Sequence, residues 1–152
     1  MLPLKHIVFG LVFALSLFLI FPKIGLIGFI IIFLSSVFID IDHYIYTAVT
    51  NKDWNLKRIY DWHIQAHKKI IEMPKGERGE FFVVFAFLHG FEIIFILFIL
   101  EFFVNKIFLF VVTGFLFHLT LDFYHQKTIM NRVDKISIIY DSLKSKKLKK
   151  IT

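Results

Sequence analysis

Histidine and carboxylate side chains recur in this chain at spacings that let them share one ligand. His118 and Asp122 are four residues apart, as are His63 and His67, so each pair projects from one face of a helix. His89 and Glu92 are three apart and also share a face. Asp40-Ile41-Asp42-His43 brings two carboxylates and an imidazole together at a helix end. Imidazole and carboxylate pairs on facing helices are how helical bundles build metal centres. The chain has no cysteine, which removes disulfides, thiolate ligands and cysteine nucleophiles. Oxygen and nitrogen donors without sulfur suit Zn, Mn, Fe or Mg.

The elements that must position these groups are set by composition. The 152 residues are 57% hydrophobic and 18% aromatic, with 21 Phe. A water-soluble domain of that size would expose much apolar surface, so the composition argues for a lipid solvent. Four apolar runs stand out, Ile7–Phe21, Ile24–Ile39, Phe81–Val104 and Ile107–Leu121. Each is apolar all round, as expected of helices in lipid. The first two span roughly 24 Å, short of a bilayer core of about 30 Å, so they extend through their flanks or thin the membrane. No small-residue cleavage site follows the first run, which reads as a retained membrane helix and not a signal peptide.

The expected fold is therefore an all-α integral membrane protein. It has about four transmembrane helices in two hairpins, near 6–21, 24–40, 81–104 and 107–123. Pro22-Lys23 and Asn105-Lys106 mark the turns. Together these helices and the polar segment 43–80 make a membrane-embedded domain, 1–126, followed by a basic tail, 127–152. Within the polar segment, Asn51 or Asp53 caps a helix running to about Glu72, with Ile59, His63, Ala66, His67 and Ile70 on one face. Pro74 to Gly79 reads as a loop. The tail ends in Lys144, Lys146, Lys147, Lys149 and Lys150.

Basic residues crowd the middle segment and the tail, and the opposite turns hold only Lys23 and Lys106. The positive-inside rule then puts both termini and the middle segment on the cytoplasmic side, with the lysine tail at anionic headgroups. On this topology all seven histidines fall toward that side. His6 opens the first helix; His118, Asp122 and His125 close the last. If the third helix starts at Phe81, Glu92 lies about 16 Å deep, where an unpaired carboxylate costs about 2.5–3.5 kcal/mol or more. A metal or a histidine is its simplest partner. The chain carries no glycine-rich phosphate loop, no dinucleotide fingerprint and no Ser-His-Asp arrangement. The basic residues accompany a membrane topology that already accounts for them, so nucleic-acid binding is not supported.

Phe38-Ile39-Asp40-Ile41-Asp42-His43 resembles the Leu-Pro-Asp-Ile-Asp-His element of the LexA-binding, inner-membrane-associated metal-dependent hydrolase family. His6 matches the histidine that precedes that family's first membrane helix. Phe117-His118-Leu119-Thr120-Leu121-Asp122 looks like its late His-x-x-x-Asp element. The resemblance covers about residues 5–126. Ile39 stands where the family has proline. The family's central His-Arg-Gly-x-Thr-His-Ser element is absent, its place falling to His89-Gly90-Phe91-Glu92 or to His63-x-x-x-His67. Through this family the chain is distantly similar to the zinc-dependent phospholipase C and single-strand nuclease superfamily.

The resemblance implies hydrolysis of a phosphoester or lipid-related substrate at the cytoplasmic face, with divalent metal ions, Zn ahead of Mn or Fe. The convergence of these groups on one side makes His6, Asp42, His89, Glu92, His118 and Asp122 the candidate metal ligands, with His43, His63, His67 and His125 as additional candidates. Asp40 is the general-base candidate. Lys68, Lys69 or Arg78 would hold the phosphate. Two other classes remain open at this level. One is a non-enzymatic metal-binding protein, a transporter or an adaptor. The other is an electron carrier with haem held by His89 and His118.

Overall fold

The computed structural model describes residues 3–131, 133, 134 and 136–150. Met1, Leu2, Arg132, Lys135, Ile151 and Thr152, which belong to the expected membrane domain and tail, lie outside the described residues. The chain is mostly helical, and among the described residues three helices are long and apolar enough to cross a membrane: Pro3–Ile20, Pro22–Asn51 and Ile107–Ile129. It divides into two units, 1–39 with 91–122, and 40–90 with 123–152.

The first unit holds α1 (Pro3–Ile20), α2 (Gly25–Phe38), α5 (Phe91–Phe103) and α6 (Ile107–His125) as far as Asp122. A 3-10 turn over Pro22–Ile24 joins α1 to α2. Gly25 leaves that turn at φ +66°, a left-handed conformation that glycine adopts without penalty. The packing stripes are narrow. α1 buries His6, Gly10 and Ala14, and α2 buries Gly28, Ile32 and Ser36. On α6 Gly114, His118 and Asp122 are buried. Each of these rows follows the i, i+4, i+8 spacing and is built from small or polar residues, with Ile32 the exception; α6 also buries Val112, off that row.

Large apolar side chains point away from these stripes. Leu4, Val8, Leu11, Leu15 and Leu19 on α1, and Leu26, Ile27, Ile30 and Leu34 on α2, are exposed. This distribution reverses that of a water-soluble bundle and suits a lipid solvent, where small residues let helices approach closely. A Cβ on Gly10 would strike the Ser36 hydroxyl, and one on Gly114 would lie 2.5 Å from the Ile32 carbonyl oxygen and also strike the Ser35 hydroxyl. Both serine hydroxyls donate within α2, Ser35 to Ile32 O at 3.1 Å and Ser36 to Phe33 O at 2.7 Å, so neither is left unsatisfied.

The second unit holds α3 (Ile41–Asn51), α4 (Leu56–Glu72), a 3-10 turn over Arg78–Glu80, a π turn over Gln126–Met130 and α7 (Ile138–Ser145). Two short strands, β1 (Phe81–Phe82) and β2 (Lys149–Lys150), pair in parallel with Phe81 opposite Lys149. α3 ends at Lys52, which adopts φ +53° and donates its N–H back to Ala48 and Val49. α4 is capped by Asn55, whose side chain accepts the Arg58 N–H at 3.1 Å, and not by Asn51 or Asp53. Asp53 instead accepts the Asn55 N–H and the Arg58 guanidinium, and that guanidinium holds its carboxyl below the usual carboxylate range. The face expected to turn inward does so, with Ile59, Ala66 and Ile70 buried and α4 ending at Glu72.

The third apolar run departs from expectation. Its helix, α5, begins at Phe91 and has 13 residues, about 20 Å, too short for a perpendicular span. Residues 81–90 are not helical. β2 claims the backbone of Phe81 and Phe82, and Asp42 accepts the Leu88 N–H at 2.8 Å. Apolar periodicity alone does not separate a buried irregular segment from a helix. The depth expected for Glu92 rested on a helix from Phe81 and falls with it; Glu92 lies in the first turn of α5, where the helix dipole favours a carboxylate. Asp40 and Asp42 are likewise at the start of a helix, α3, and not at the end of one.

Candidate metal centres

In the second unit Asp42 organises two imidazoles. Its side chain is fully buried. Oδ1 accepts Nδ1–H of His43 at 2.5 Å; Oδ2 accepts Nδ1–H of His89 at 3.0 Å and the Leu88 N–H. A carboxylate oxygen accepts, so both rings carry a proton on Nδ1, and in the neutral ring Nε2 keeps the lone pair. Those two Nε2 atoms lie 3.6 Å (His43) and 3.3 Å (His89) from Oδ1 of Asp40. Local folding explains the convergence. Asp40 and His43 flank the first turn of α3, and the irregular chain before α5 delivers His89 from 47 residues away in sequence to the Asp42 carboxylate.

The first unit repeats the donor set with a different anchor. His118 donates Nδ1–H to the Ser36 carbonyl at 2.8 Å, so in the neutral ring Nε2 is again the lone-pair nitrogen. Its ring stacks on His6, with centroids 4.0 Å apart. Asp122 reaches Nε2 of His6 at 3.2 Å and Nε2 of His118 at 3.9 Å. All three side chains are buried. His118 and Asp122 sit one turn apart on α6, and His6 stands in the first turns of α1.

Each group, Asp40–His43–His89 and His6–His118–Asp122, offers one ligand atom per residue within 4.8 Å of the others. Tetrahedral N and O ligands at about 2.0–2.1 Å from a metal stand about 3.3 Å apart. The carboxylate-to-imidazole distances fall close to that, so either group could hold a metal ion after small side-chain shifts. Two histidines and a carboxylate are a donor set used by both zinc and non-haem iron sites.

Glu92 is in neither group. His63 meets the Thr47 hydroxyl at 3.1 Å, and its ring lies 6.3 Å from that of His43. His67 and His125 face each other, Nε2 to Nε2 at 3.3 Å. Lys68 and Lys69 are exposed on α4, Lys68 at 3.8 Å from Glu72. Arg78 is buried, and its guanidinium donates to the carbonyls of Ile71, Met73 and Ile129, so it staples the end of α4 to the π turn. The anchors Ser36 and Leu88 act through backbone atoms, which no side-chain motif signals. The anchoring carboxylate does carry a signal, since an aspartate directly before a histidine can reach its Nδ1.

No protein-family model, curated protein or solved structure matches the chain. What the fold and the sites define is a class: a mostly helical chain with three helices able to cross a membrane and buried histidine–aspartate clusters able to hold a metal ion.

Proposed function

We propose that this chain is a membrane-bound metal-dependent hydrolase acting on a phosphoester or lipid-related substrate at the cytoplasmic membrane face, with zinc as its resident ion. The observation that carries the reading is the pair of imidazole Nε2 atoms converging on one carboxylate in each unit, Asp40 in one and Asp122 in the other. The motif resemblance around Asp40–His43 and His118–Asp122 adds the reaction class.

The ligand assignment follows the geometry. His43, His89 and Asp40 hold one ion, and His6, His118 and Asp122 hold another. Asp40 thereby becomes a ligand and not the general base, since both Nε2 atoms face it. Asp42 becomes a positioning residue: its oxygens are taken up by the two Nδ1–H groups and the Leu88 N–H, the arrangement by which a carboxylate fixes the tautomer and orientation of metal-binding histidines. A divalent ion in such a set supplies Lewis acidity toward a phosphoryl oxygen and lowers the pKa of water. Around it the protein contributes orientation and burial. Lys68 and Lys69, exposed on α4, are the lysines that would meet a phosphate; Arg78 is committed to backbone carbonyls. The haem reading leaves the carboxylates opposite both Nε2 atoms without a role.

The test is elemental mass spectrometry of detergent-purified protein beside Asp40→Ala and Asp122→Ala. Zn, Mn or Fe in the wild type, diminished in each variant, supports the centres and is followed by a screen of phosphoester substrates. A wild type without metal after reconstitution sinks the proposal.

A further inference from the structure

α7 is amphipathic, but its faces are turned the opposite way from those of a helix on a water-soluble protein. Asp141, Ser142, Lys144 and Ser145 are half-buried, while Ile139 (68%), Tyr140 (57%) and Leu143 (59%) are exposed. The three exposed residues share one helix face. Polar contacts hold this orientation. Lys144 sends its ammonium inward to Asp134 and to the Val133 carbonyl, at 2.5 and 3.3 Å. Ser137 caps the N-terminus by accepting the Tyr140 N–H at 3.3 Å.

Two further observations identify what covers the outward face. At the C-terminal end of α7, Lys146 and Lys147 are exposed, and Lys149, which also reaches Glu80 at 3.0 Å, follows them. The apolar strip is therefore bordered by cations. A short helix with an apolar face and a basic border is complementary to one kind of surface, the headgroup and acyl boundary of an anionic membrane. β2 next to it pairs with β1, so residues 149–150 are fastened to their own unit.

We infer that α7 is an in-plane membrane-docking helix. Ile139, Tyr140 and Leu143 enter the interface, and Lys146 and Lys147 meet anionic phosphate headgroups. The inference is independent of the metal centres, because it uses none of their residues.

The absence of native cysteine permits a direct test. Leu143→Cys is labelled with an environment-sensitive fluorophore, and the full chain is reconstituted into nanodiscs of phosphatidylcholine, with or without phosphatidylglycerol. The expected result is a blue-shifted emission with phosphatidylglycerol, quenched by nitroxides on lipid chains and protected from aqueous iodide. Adding Lys146→Gln and Lys147→Gln should weaken that response without changing the melting temperature. The same label at Ser142→Cys, on the inward face, should not respond to lipid composition. Emission at position 143 that stays in the aqueous range in both membranes overturns the inference. So does a blue shift that ignores phosphatidylglycerol, when two copies of the unlabelled Leu143→Cys variant also cross-link through a disulfide; the face would then be a contact between chains.

Discussion

The two centres use the same donors and differ in what holds them. In the second unit a buried carboxylate, Asp42, fixes both imidazoles. In the first, a backbone carbonyl, that of Ser36, fixes one, and ring stacking on His118 supports the other. A carboxylate anchor adds negative charge and raises the basicity of the imidazole it holds. Within the second unit two carboxylates, Asp40 and Asp42, would balance a divalent cation. The first consequence is that the Asp42-anchored centre should bind metal more tightly. The second is that its anchor can be removed by substitution, whereas a carbonyl can be disturbed only through the packing that places it.

Removing Asp42 should have the largest effect. The Asp42→Ala variant strands two imidazole N–H groups and the Leu88 N–H in a buried site, and each unsatisfied donor costs about 1–3 kcal/mol. A loss of about 3 kcal/mol or more is expected in detergent denaturation, with metal lost from the second unit. Asp42→Asn keeps an acceptor and should fold better while weakening metal affinity about 10–100-fold. Equal metal affinity in Asp42→Asn and wild type, measured by chelator competition, would remove the distinction between the anchors.

Next comes the independence of the two sites. In Asp40→Ala and in His6→Ala, the metal content should fall by one ion per chain in each case, and the ion lost in His6→Ala should be the more weakly held of the two in wild-type competition titrations. Loss of all metal in either single variant would mean that the centres do not load separately.

The third perturbation reaches the first centre through packing alone. A methyl at Gly114 meets the Ile32 carbonyl oxygen at 2.5 Å and the Ser36 backbone nitrogen at 2.9 Å. α2 must shift where it presents the carbonyl that anchors His118. Overpacking of this kind costs about 1–3 kcal/mol. Gly114→Ala should lower the melting temperature and deplete metal from the His6–His118–Asp122 group while sparing the other group. Full metal content with wild-type stability would show that the approach at Gly114 is not what positions His118.

The two centres also differ in how far the sequence announces them. His118-x-x-x-Asp122 lies on one regular helix, so spacing alone places the pair. Its supporting row, Gly114-x-x-x-His118-x-x-x-Asp122, was also readable, as were Gly28-x-x-x-Ile32-x-x-x-Ser36 and His6-x-x-x-Gly10-x-x-x-Ala14. These rows are hard to see because lipid-facing helices are apolar all round, and the packed face is marked by small size and not by hydrophobicity. Around Asp42 local spacing fails. His89 arrives on an irregular segment whose apolar residues read as a helix, and the bond that captures it spans 47 positions. The start of α3 was hidden for a related reason: α2 continues through residues 39 and 40 into a second helix with no proline or glycine at the junction, so the acids looked like an ending when they form a beginning. The pairing of His67 with His125, 58 positions apart, had no local trace at all.

A polar pair away from both centres calibrates the comparison and should show the smallest effect. Asp53 and Arg58 form a two-point ion pair, at 2.6 and 2.8 Å, on the surface at the start of α4. Their geometry is as good as that of the buried groups, but solvent screens them. The Arg58 guanidinium lowers the Asp53 pKa, so its contribution is present above the unfolded value of about 3.9 and is lost as the pH falls through the lower folded value. Asp53→Asn should therefore shift the melting temperature at neutral pH by no more than the scatter of the measurement, and the difference from wild type should vanish on acidification below that range. Metal content should not change. If Asp53→Asn destabilised the chain as much as Asp42→Ala, burial would not be what gives the Asp42 bonds their weight, and the contrast between the two kinds of anchor would lose its physical basis.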